Sequence, residues 1–327
     1  MQFGQLKRRE FVALLGGAAV AWPLAARAQH PRRLSILHSG FPNRTPIHVL
    51  LAELRTLGYE DGRTAAIEVL GGEGDPDRLK ALVSKLAGQS PDVIIALTDP
   101  AVLALKQAGV ATPVVFAFVT DPVGLGIVKS LAQPGGNFTG LTYGDALLGG
   151  KRLELLMDTL PGMRRVAVIW SRSIAAYSAI FDAIREAARA RGIEIFSREF
   201  RGADDLSSAF DDAKVSGAQA AIFMSDNVTF GRRKEIAALA LSRQLPTMHS
   251  FVPEVDDGGF MSFGPDLDES YRRAAALADA ILKGAHPIDL PVEEPTRFIL
   301  AVNLKTAAAL VLSVPPAILA RADKVVD

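Results

Sequence analysis

Along this chain, short apolar runs closed by turn residues alternate with longer segments whose apolar positions recur at helical spacing. Runs of that length predict strands buried on both faces, and spacings of three and four predict amphipathic helices. One stretch sets the pattern. Val93 to Leu97 reads as a strand ending in Thr98-Asp99-Pro100. A helical segment follows, and Thr112-Pro113 leads into a second strand, Val114 to Val119. From Ala218 the pattern returns as A-Q-A-A-I-F-M-S-D-N, a helical segment to Arg243, and Leu245-Pro246-Thr247-Met248. Strand, helix, strand is a βαβ unit, the building block of a parallel sheet. Two copies predict an α/β protein with two Rossmann-like lobes, with Thr98-Asp99 and Ser225-Asp226 as matching loops. Ligands of open parallel sheets sit beyond the carboxyl ends of the strands, so these loops are the first place to look for function.

The remaining segments fill in both lobes. Leu34 to His38 is a first strand, Ile47 to Leu57 a helix stopped at Gly58, and Ala65 to Leu70 a second strand. Asp75-Pro76 is an N-cap followed by proline at the first helical position. Asp121-Pro122 has the same form and predicts a helix to about Leu131. Phe138 to Tyr143 is extended and predicts a first crossing to the second lobe. There, helices are expected over Leu147 to Leu160, Ala175 to Arg191 and Asp204 to Lys214, with strands at Arg165 to Trp170 and Ile193 to Phe196. Phe260 to Phe263 and Phe298 to Val302 predict a second and a third crossing, on either side of a helix from Asp268 to Lys283. Asn303 to Leu312 and the segment after Pro315-Pro316 are the last helices. The expected division is lobe one at 33–140 with about 265–300, and lobe two at 141–264 with about 301–327.

Residues 1–28 are set apart as an export signal peptide. Lys7-Arg8-Arg9 is a charged start, Phe11 to Trp22 an apolar core too short to span a bilayer, and Ala26-Arg27-Ala28 a small-x-small cleavage site. The arginine pair before Glu10-Phe11-Val12 fits the twin-arginine form. Cleavage after about Ala28 and a periplasmic location follow as expectations.

Composition removes several alternatives. The 327 residues suffice for two domains, and 49% are hydrophobic, enough for sizeable cores. Lys and Arg total 36, as do Asp and Glu, so the net charge of zero argues against nucleic acid as a partner. There is no cysteine, which excludes disulfides, thiolate metal sites and a cysteine nucleophile.

Catalytic signatures are missing from the sequence. There is no G-x-S-x-G elbow, no serine with lysine three residues on, and no H-E-x-x-H. The glycine clusters at Gly71-Gly72 and Gly124-Leu125-Gly126 match neither a dinucleotide fingerprint nor a P-loop. No metal or cofactor is called for. His38 and His249 follow apolar runs and are read as hydrogen-bonding residues that face a cleft. What remains is a ring of polar residues at predicted strand ends. Ser39, Thr98, Asp99, Thr120 and Asp121 belong to the first lobe. Ser171, Ser173, Ser225, Asp226 and Asn227 belong to the second. Asp99-Pro100 and Asp121-Pro122 also read as helix caps, worth about 1 kcal/mol each. Phe41, Phe118, Tyr143, Tyr177, Phe230 and Phe251 lie near the same ends; most are read as core or rim, with one or two expected to offer an aromatic face to a flat ligand. Such a ring without a nucleophile and base describes a binder rather than an enzyme. If capping occupies Asp99 and Asp121, Asp226 is left free; an amino acid ligand is then expected with its carboxylate at the Thr98 loop and its ammonium at Asp226 or Asp121, and Arg44 and Arg172 are the nearest cations.

With those residues placed, the chain resembles the bacterial ABC-transporter substrate-binding proteins of the tryptophan/tyrosine transport type. The resemblance rests on the leader from Arg8-Arg9-Glu10 to Gln29, on D-P-V-G-L-G-I-V-K-S-L-A-Q-P-G-G-N-F-T-G from Asp121, and on N-L-K-T-A-A-A-L-V-L-S-V-P-P-A-I-L-A-R-A-D from Asn303. It implies a type I periplasmic-binding-protein-like fold closing on a small solute, an amino acid or related polar molecule, as a monomer that serves an ABC permease in the inner membrane. Two positions depart from the family pattern. Ser171-Arg172 stands where Asn-Pro is common, and Ser262-Phe263-Gly264 where Ser-Tyr-Gly is common. A sensory receptor of the same fold and an enzyme on this scaffold are the alternatives, separated by the genes next door and by a turnover assay.

Overall fold

The computed structural model describes residues 31–327 except 145–147, 173, 175 and 176. The export signal, the start of the predicted helix at Leu147, Ser173 and the start of the helix at Ala175 lie outside the described residues.

Two sheets carry the chain. The first is formed by β1 (Arg32–His38), β2 (Ala65–Gly71), β3 (Val93–Leu97), β4 (Val114–Val119) and β5 (Phe138–Thr142), all parallel, in the order β2-β1-β3-β4-β5. The second contains β6 (Arg165–Ser171), β7 (Glu194–Phe200), β8 (Ala220–Met224), β9 (Thr247–His249), β10 (Met261–Pro265), β11 (Phe298–Asn303) and β12 (Lys324–Val326). Its order, β12-β11-β10-β9-β8-β6-β7, repeats the first arrangement from β7 to β10, then adds β11 antiparallel to β10 and β12 parallel to β11. In each lobe the order reverses once, between β1 and β3 and between β6 and β8. Crevices for ligands open at such reversals.

The apolar runs work as continuous runs should in a parallel sheet. Along β3, Val93, Ile95 and Leu97 enter one core with the helices Ile47–Thr56 and Leu267–Leu282, while Ile94 and Ala96 enter the core on the opposite face. Each fully buried Ile or Leu contributes about 1.5–3 kcal/mol. Ile95→Ala would empty the centre of one core and cost about 2–5 kcal/mol. The second sheet is likewise covered on both faces by apolar clusters.

The chain passes between lobes three times. It leaves the first sheet after β5, returns after β10 to lay helix Leu267–Leu282 against β3, β4 and β5, and leaves again before β11. The passages hold one another: Thr142 N donates to Glu293 O at 2.9 Å, and Asp266 N to Arg297 O at 3.0 Å. Arg273 forms a two-pronged ion pair with Glu293 beside them.

Two expectations need correction. Pro122 to Leu131 is not a helix but a series of turns: after the bonds Leu125 N to Asp121 O and Ile127 N to Pro122 O, Gly126 at φ +67° turns the chain out of helical geometry. Helix Val252–Asp256 and strand β12 are short elements that the apolar pattern did not signal. Among the described residues no helix is long and apolar enough to cross a membrane.

Candidate functional site

Four short contacts bring the lobes together over a cavity. Arg233 Nη1 donates to Arg44 O at 2.7 Å across the cleft. Gly40 lies against Asn227 O, so that a Cβ there would fall 2.1 Å from it, and Gly74 lies against Val228. Tyr143 stacks on Phe251 with ring centroids 5.1 Å apart. Beneath these contacts is about 660 Å³ of empty space, part of it open at the mouth. The first lobe lines it with His38, Thr45, Pro46, Thr98, Asp99, Phe118, Thr120 and Tyr143. The second supplies Ile174, Tyr177, Ser225, Asp226, Asn227, Phe230 and Phe251, and the returning helix adds Leu267 and Tyr271.

Twelve of the residues expected from sequence therefore meet at one cavity: His38, Thr98, Asp99, Phe118, Thr120, Tyr143, Tyr177, Ser225, Asp226, Asn227, Phe230 and Phe251. Ser39, Asp121 and Ser171 do not line it. Ser39 is buried one layer behind, its hydroxyl 2.5 Å from that of Thr98. Asp121 is exposed and accepts from Gly124 N at 2.8 Å, which closes the turn. Ser171 is buried at the end of β6. Phe263, at one of the departures from the family pattern, lies against Phe298 instead of the cavity.

Backbone conformation aims two of the lining side chains. Thr98 has φ +87° and Phe118 has φ +60°, a region that side chains with a Cβ rarely occupy. At Phe118 the pairing of β4 with β5 shifts register between Phe116 and Val119, a bulge that turns this ring toward the cavity and edge-on to Tyr271 at 4.9 Å. Strained residues and bulges collect at binding and catalytic sites, where surrounding contacts hold them in place.

The two acidic loops differ from expectation and from each other. Asp99 does not cap the helix Asp99–Gln107; it is the first residue of that helix, with Thr98 at the cap position. Its carboxylate reaches sideways to Thr120, accepting from the backbone N–H at 2.9 Å and from the hydroxyl at 2.7 Å. Burial pushes the Asp99 pKa up, the Thr120 bonds oppose that rise, and the neighbouring Asp121 charge adds to it. Asp226, which sequence assigned to an ammonium because no proline follows it, is the one bound by its own turn, just before the short helix Thr229–Arg232. It accepts from Val228 N at 3.0 Å, Thr229 N at 2.8 Å and Thr229 Oγ1 at 2.9 Å. The proline rule misjudged both.

Glu254 fastens the second loop from behind. It accepts from the Ser225 hydroxyl, from Ser250 N at 3.2 Å and from Phe251 N at 2.9 Å, and lies 3.3 Å from His249. Burial alone would raise its pKa, but His249, Ser225 and Phe251 outweigh burial and hold it below the usual carboxylate value. Tyr177 donates its hydroxyl to Ser225 O, a further brace. His249 thus faces this support, and His38 faces the cavity.

Among the described residues no lysine or arginine lines the space. Arg172 pairs with Glu199 at 2.6 Å, and Arg44 lies over the Phe41 ring at 4.7 Å. Neither of these nearest cations lines the cavity. Among the described residues no group of three or more His, Asp or Glu side chains is arranged to hold a metal ion. Sequence reasoning did not assign Thr45, Pro46, Ile174, Leu267 or Tyr271 to a site. They come from a loop after the first strand, from the edge of the second lobe and from the returning helix, where nothing in the strand-end pattern marks them.

Comparison with known proteins places this geometry in context. A family model described as ABC transporter substrate binding protein matches residues 47–326. A protein named tyrosine-binding protein from Clostridioides difficile (strain R20291) is 26% identical over 257 residues, 79% of this chain and 74% of that protein. Among solved structures, a conserved domain protein from Vibrio cholerae superposes with a TM-score of 0.84 at 25% identity, covering 90% of this chain and 99% of that one. An ABC domain from Streptococcus pneumoniae in complex with L-Trp gives 0.83 at 23% identity, with the same coverage.

Proposed function

The chain belongs to the ABC transporter substrate-binding protein family, and on that premise we propose that it is an exported receptor that closes on an aromatic amino acid in the inter-lobe cavity and presents it to an importer permease. One observation carries the choice of ligand. Six aromatic rings, Phe118, Tyr143, Tyr177, Phe230, Phe251 and Tyr271, line the cavity together with the carboxylates of Asp99 and Asp226, and among the described residues no lysine or arginine does. Rings offer stacking and edge contacts to a flat apolar body, and their faces also attract a cation. A buried carboxylate needs a positive or hydrogen-bonding partner. An amino acid with an aromatic side chain meets both demands. A dicarboxylate or phosphate meets neither, because it adds repulsion beside two acids in a partly dry cleft. The name of the Clostridioides difficile relative, tyrosine-binding protein, supports the same reading.

In this proposal the leader ending near Ala28 takes the chain to the periplasm, and the mature protein works there as a monomer. The site residues proposed are Thr98, Asp99, Phe118, Thr120, Tyr143, Tyr177, Ser225, Asp226 and Phe251, with Ser39, Asp121 and Ser171 as support behind them. Thermal unfolding against a panel of amino acids, sugars and organic acids tests it. A solute at a hundred times its dissociation constant adds about 2.7 kcal/mol and raises the midpoint. Tyrosine, tryptophan or phenylalanine should give the largest rise. A rise with polyols and none with aromatic amino acids would sink the reading.

A further inference from the structure

We propose that His38 is a specificity-determining residue: its ring, held as the neutral Nε2–H tautomer by Gly40, donates a hydrogen bond to an acceptor oxygen of the bound solute. The inference rests on the reading of the cavity as an aromatic amino acid site and assigns one polar contact within it.

His38 closes β1 at the point where the strand order of the first sheet reverses, and it is 3% exposed. Its Nδ1 accepts the backbone N–H of Gly40 at 2.8 Å. A backbone N–H only donates, so Nδ1 carries no proton and the proton of the neutral ring sits on Nε2. Protonating Nδ1 would set two donors against each other and bury a charge. Burial holds the pKa at about 4, and the ring is neutral at neutral pH. The ring lines the cavity, and Nε2 has no hydrogen-bond partner among the described residues.

The neighbours sharpen the assignment. The Thr120 hydroxyl is spent on Asp99, and the Ser39 and Thr98 hydroxyls bond to each other. With no lysine or arginine on the walls among the described residues, a ligand oxygen arriving at the end of β1 meets the His38 N–H. A neutral donor there accepts a carboxylate, carbonyl or phenolic oxygen, and it leaves an ammonium to the acids.

The test has two parts. Imidazole 15N spectra of the ligand-free protein at pH 7 should show His38 protonated at Nε2 and unprotonated at Nδ1; the opposite tautomer overturns the proposal whatever the protein binds. Calorimetric titration then uses L-tyrosine, tyramine and L-phenylalanine against the wild type, His38→Phe and His38→Gln. His38→Phe should lose about tenfold to a hundredfold in tyrosine affinity, as expected for a hydrogen bond to a charged group, and its ligand-free melting point should fall because the Gly40 N–H loses its acceptor. His38→Gln, which places an amide N–H near the Nε2 position, should keep most of the affinity and distinguishes a lost contact from a lost fold. If the oxygen read is the carboxylate, His38→Phe no longer distinguishes tyrosine from tyramine; if it is the phenol, the variant no longer distinguishes tyrosine from phenylalanine. Wild-type affinity in His38→Phe refutes the proposal and leaves the amino acid reading standing, whereas a wild type that binds none of the three overturns both.

Discussion

The loops Thr98-Asp99 and Ser225-Asp226 occupy the same place in the two lobes, and their aspartates do different work. In the first lobe, Thr98 at φ +87° starts the helix one residue early. Asp99 then lies inside the helix start, where its carboxylate cannot reach the free N–H groups of its own first turn, and Pro100 has none to give. It turns to Thr120 instead and remains a buried acid with a raised pKa. In the second lobe no proline follows, the chain enters a short tight helix at Thr229–Arg232, and Asp226 folds back on Val228 and Thr229. That carboxylate is satisfied by its own backbone. The comparison shows that a strand-end aspartate is assigned by which N–H groups the following turn leaves within its reach, and that the acid poorly served by its own chain is the one a ligand cation should meet.

The largest effect is expected where the lobes bring the loops face to face. Gly40→Ala places a Cβ 2.1 Å from Asn227 O in the closed contact, and backbone cannot move aside cheaply. Closure should fail and the two loops should no longer share a ligand. Affinity for the aromatic amino acid should fall about a hundredfold or more, since each 1.4 kcal/mol lost from the closed state is tenfold. Titration calorimetry reads the loss, and small-angle scattering should find no compaction on ligand addition. Full affinity in this variant would mean that binding does not need the closed contact.

The next largest effect separates the loops by charge. Asp99→Asn should weaken L-tyrosine binding by about tenfold to a hundredfold, the worth of a charge-assisted hydrogen bond. The wild type should prefer tyrosine over its deaminated analogue, 3-(4-hydroxyphenyl)propionate, and in Asp99→Asn that preference should collapse. Collapse in Asp226→Asn with Asp99→Asn unaffected would reverse the assignment and restore the expectation drawn from sequence.

That reversal marks how far sequence reading reached. The parallel strands, the two lobes and the matching loops were legible because apolar runs and turn residues report burial and chain reversal directly. Val93 to Leu97 and Ala220 to Met224 stand as strands buried along their whole length. The cap at Asp75-Pro76 was equally legible, with Asp77 N and Arg78 N donating to Asp75 Oδ1. The same dipeptide pattern failed at Asp99-Pro100 because the backbone angle of Thr98 decides whether the aspartate precedes the helix or begins it, and residue type does not encode that angle. Pro122 to Leu131 failed because Gly124 and Gly126 allow turns where the apolar spacing fits a helix. Tyr271 and Leu267 were missed because their helix reads as ordinary amphipathic core; only the path of the chain between lobes brings its first turn to the cavity.

A smaller effect tests the second loop alone. Asp226→Ala removes the acceptor for Val228 N and Thr229 N and should cost about 1 kcal/mol of stability, as for loss of a helix cap, measured by denaturant titration of the ligand-free protein. Asp99→Asn should cost less than this. If Asp99→Asn proves the more destabilising of the two, Asp99 is the structural acid and the contrast between the loops fails.

The smallest effect is a pH dependence that only Asp99 should show. Its folded pKa is raised, chiefly by burial, against about 3.9 in an unfolded chain. The folded protein therefore holds this proton more tightly than the unfolded chain does. By linkage, the resulting stability is fully present below the unfolded value and is lost as pH rises through the folded one. Asp99→Asn carries no such proton. Its melting midpoint, compared with the wild type, should gain ground as pH climbs from about 4 and then level off once Asp99 is ionised in both states. A ligand ammonium changes the sign for the complex, because it favours the ionised carboxylate. Tyrosine affinity of the wild type should then decline as pH falls toward 4, while that of Asp99→Asn stays flatter. Parallel midpoint curves for the two proteins across this range would show that Asp99 ionises as freely as an exposed acid, and the cavity would lose the uncompensated carboxylate to which the ammonium is assigned.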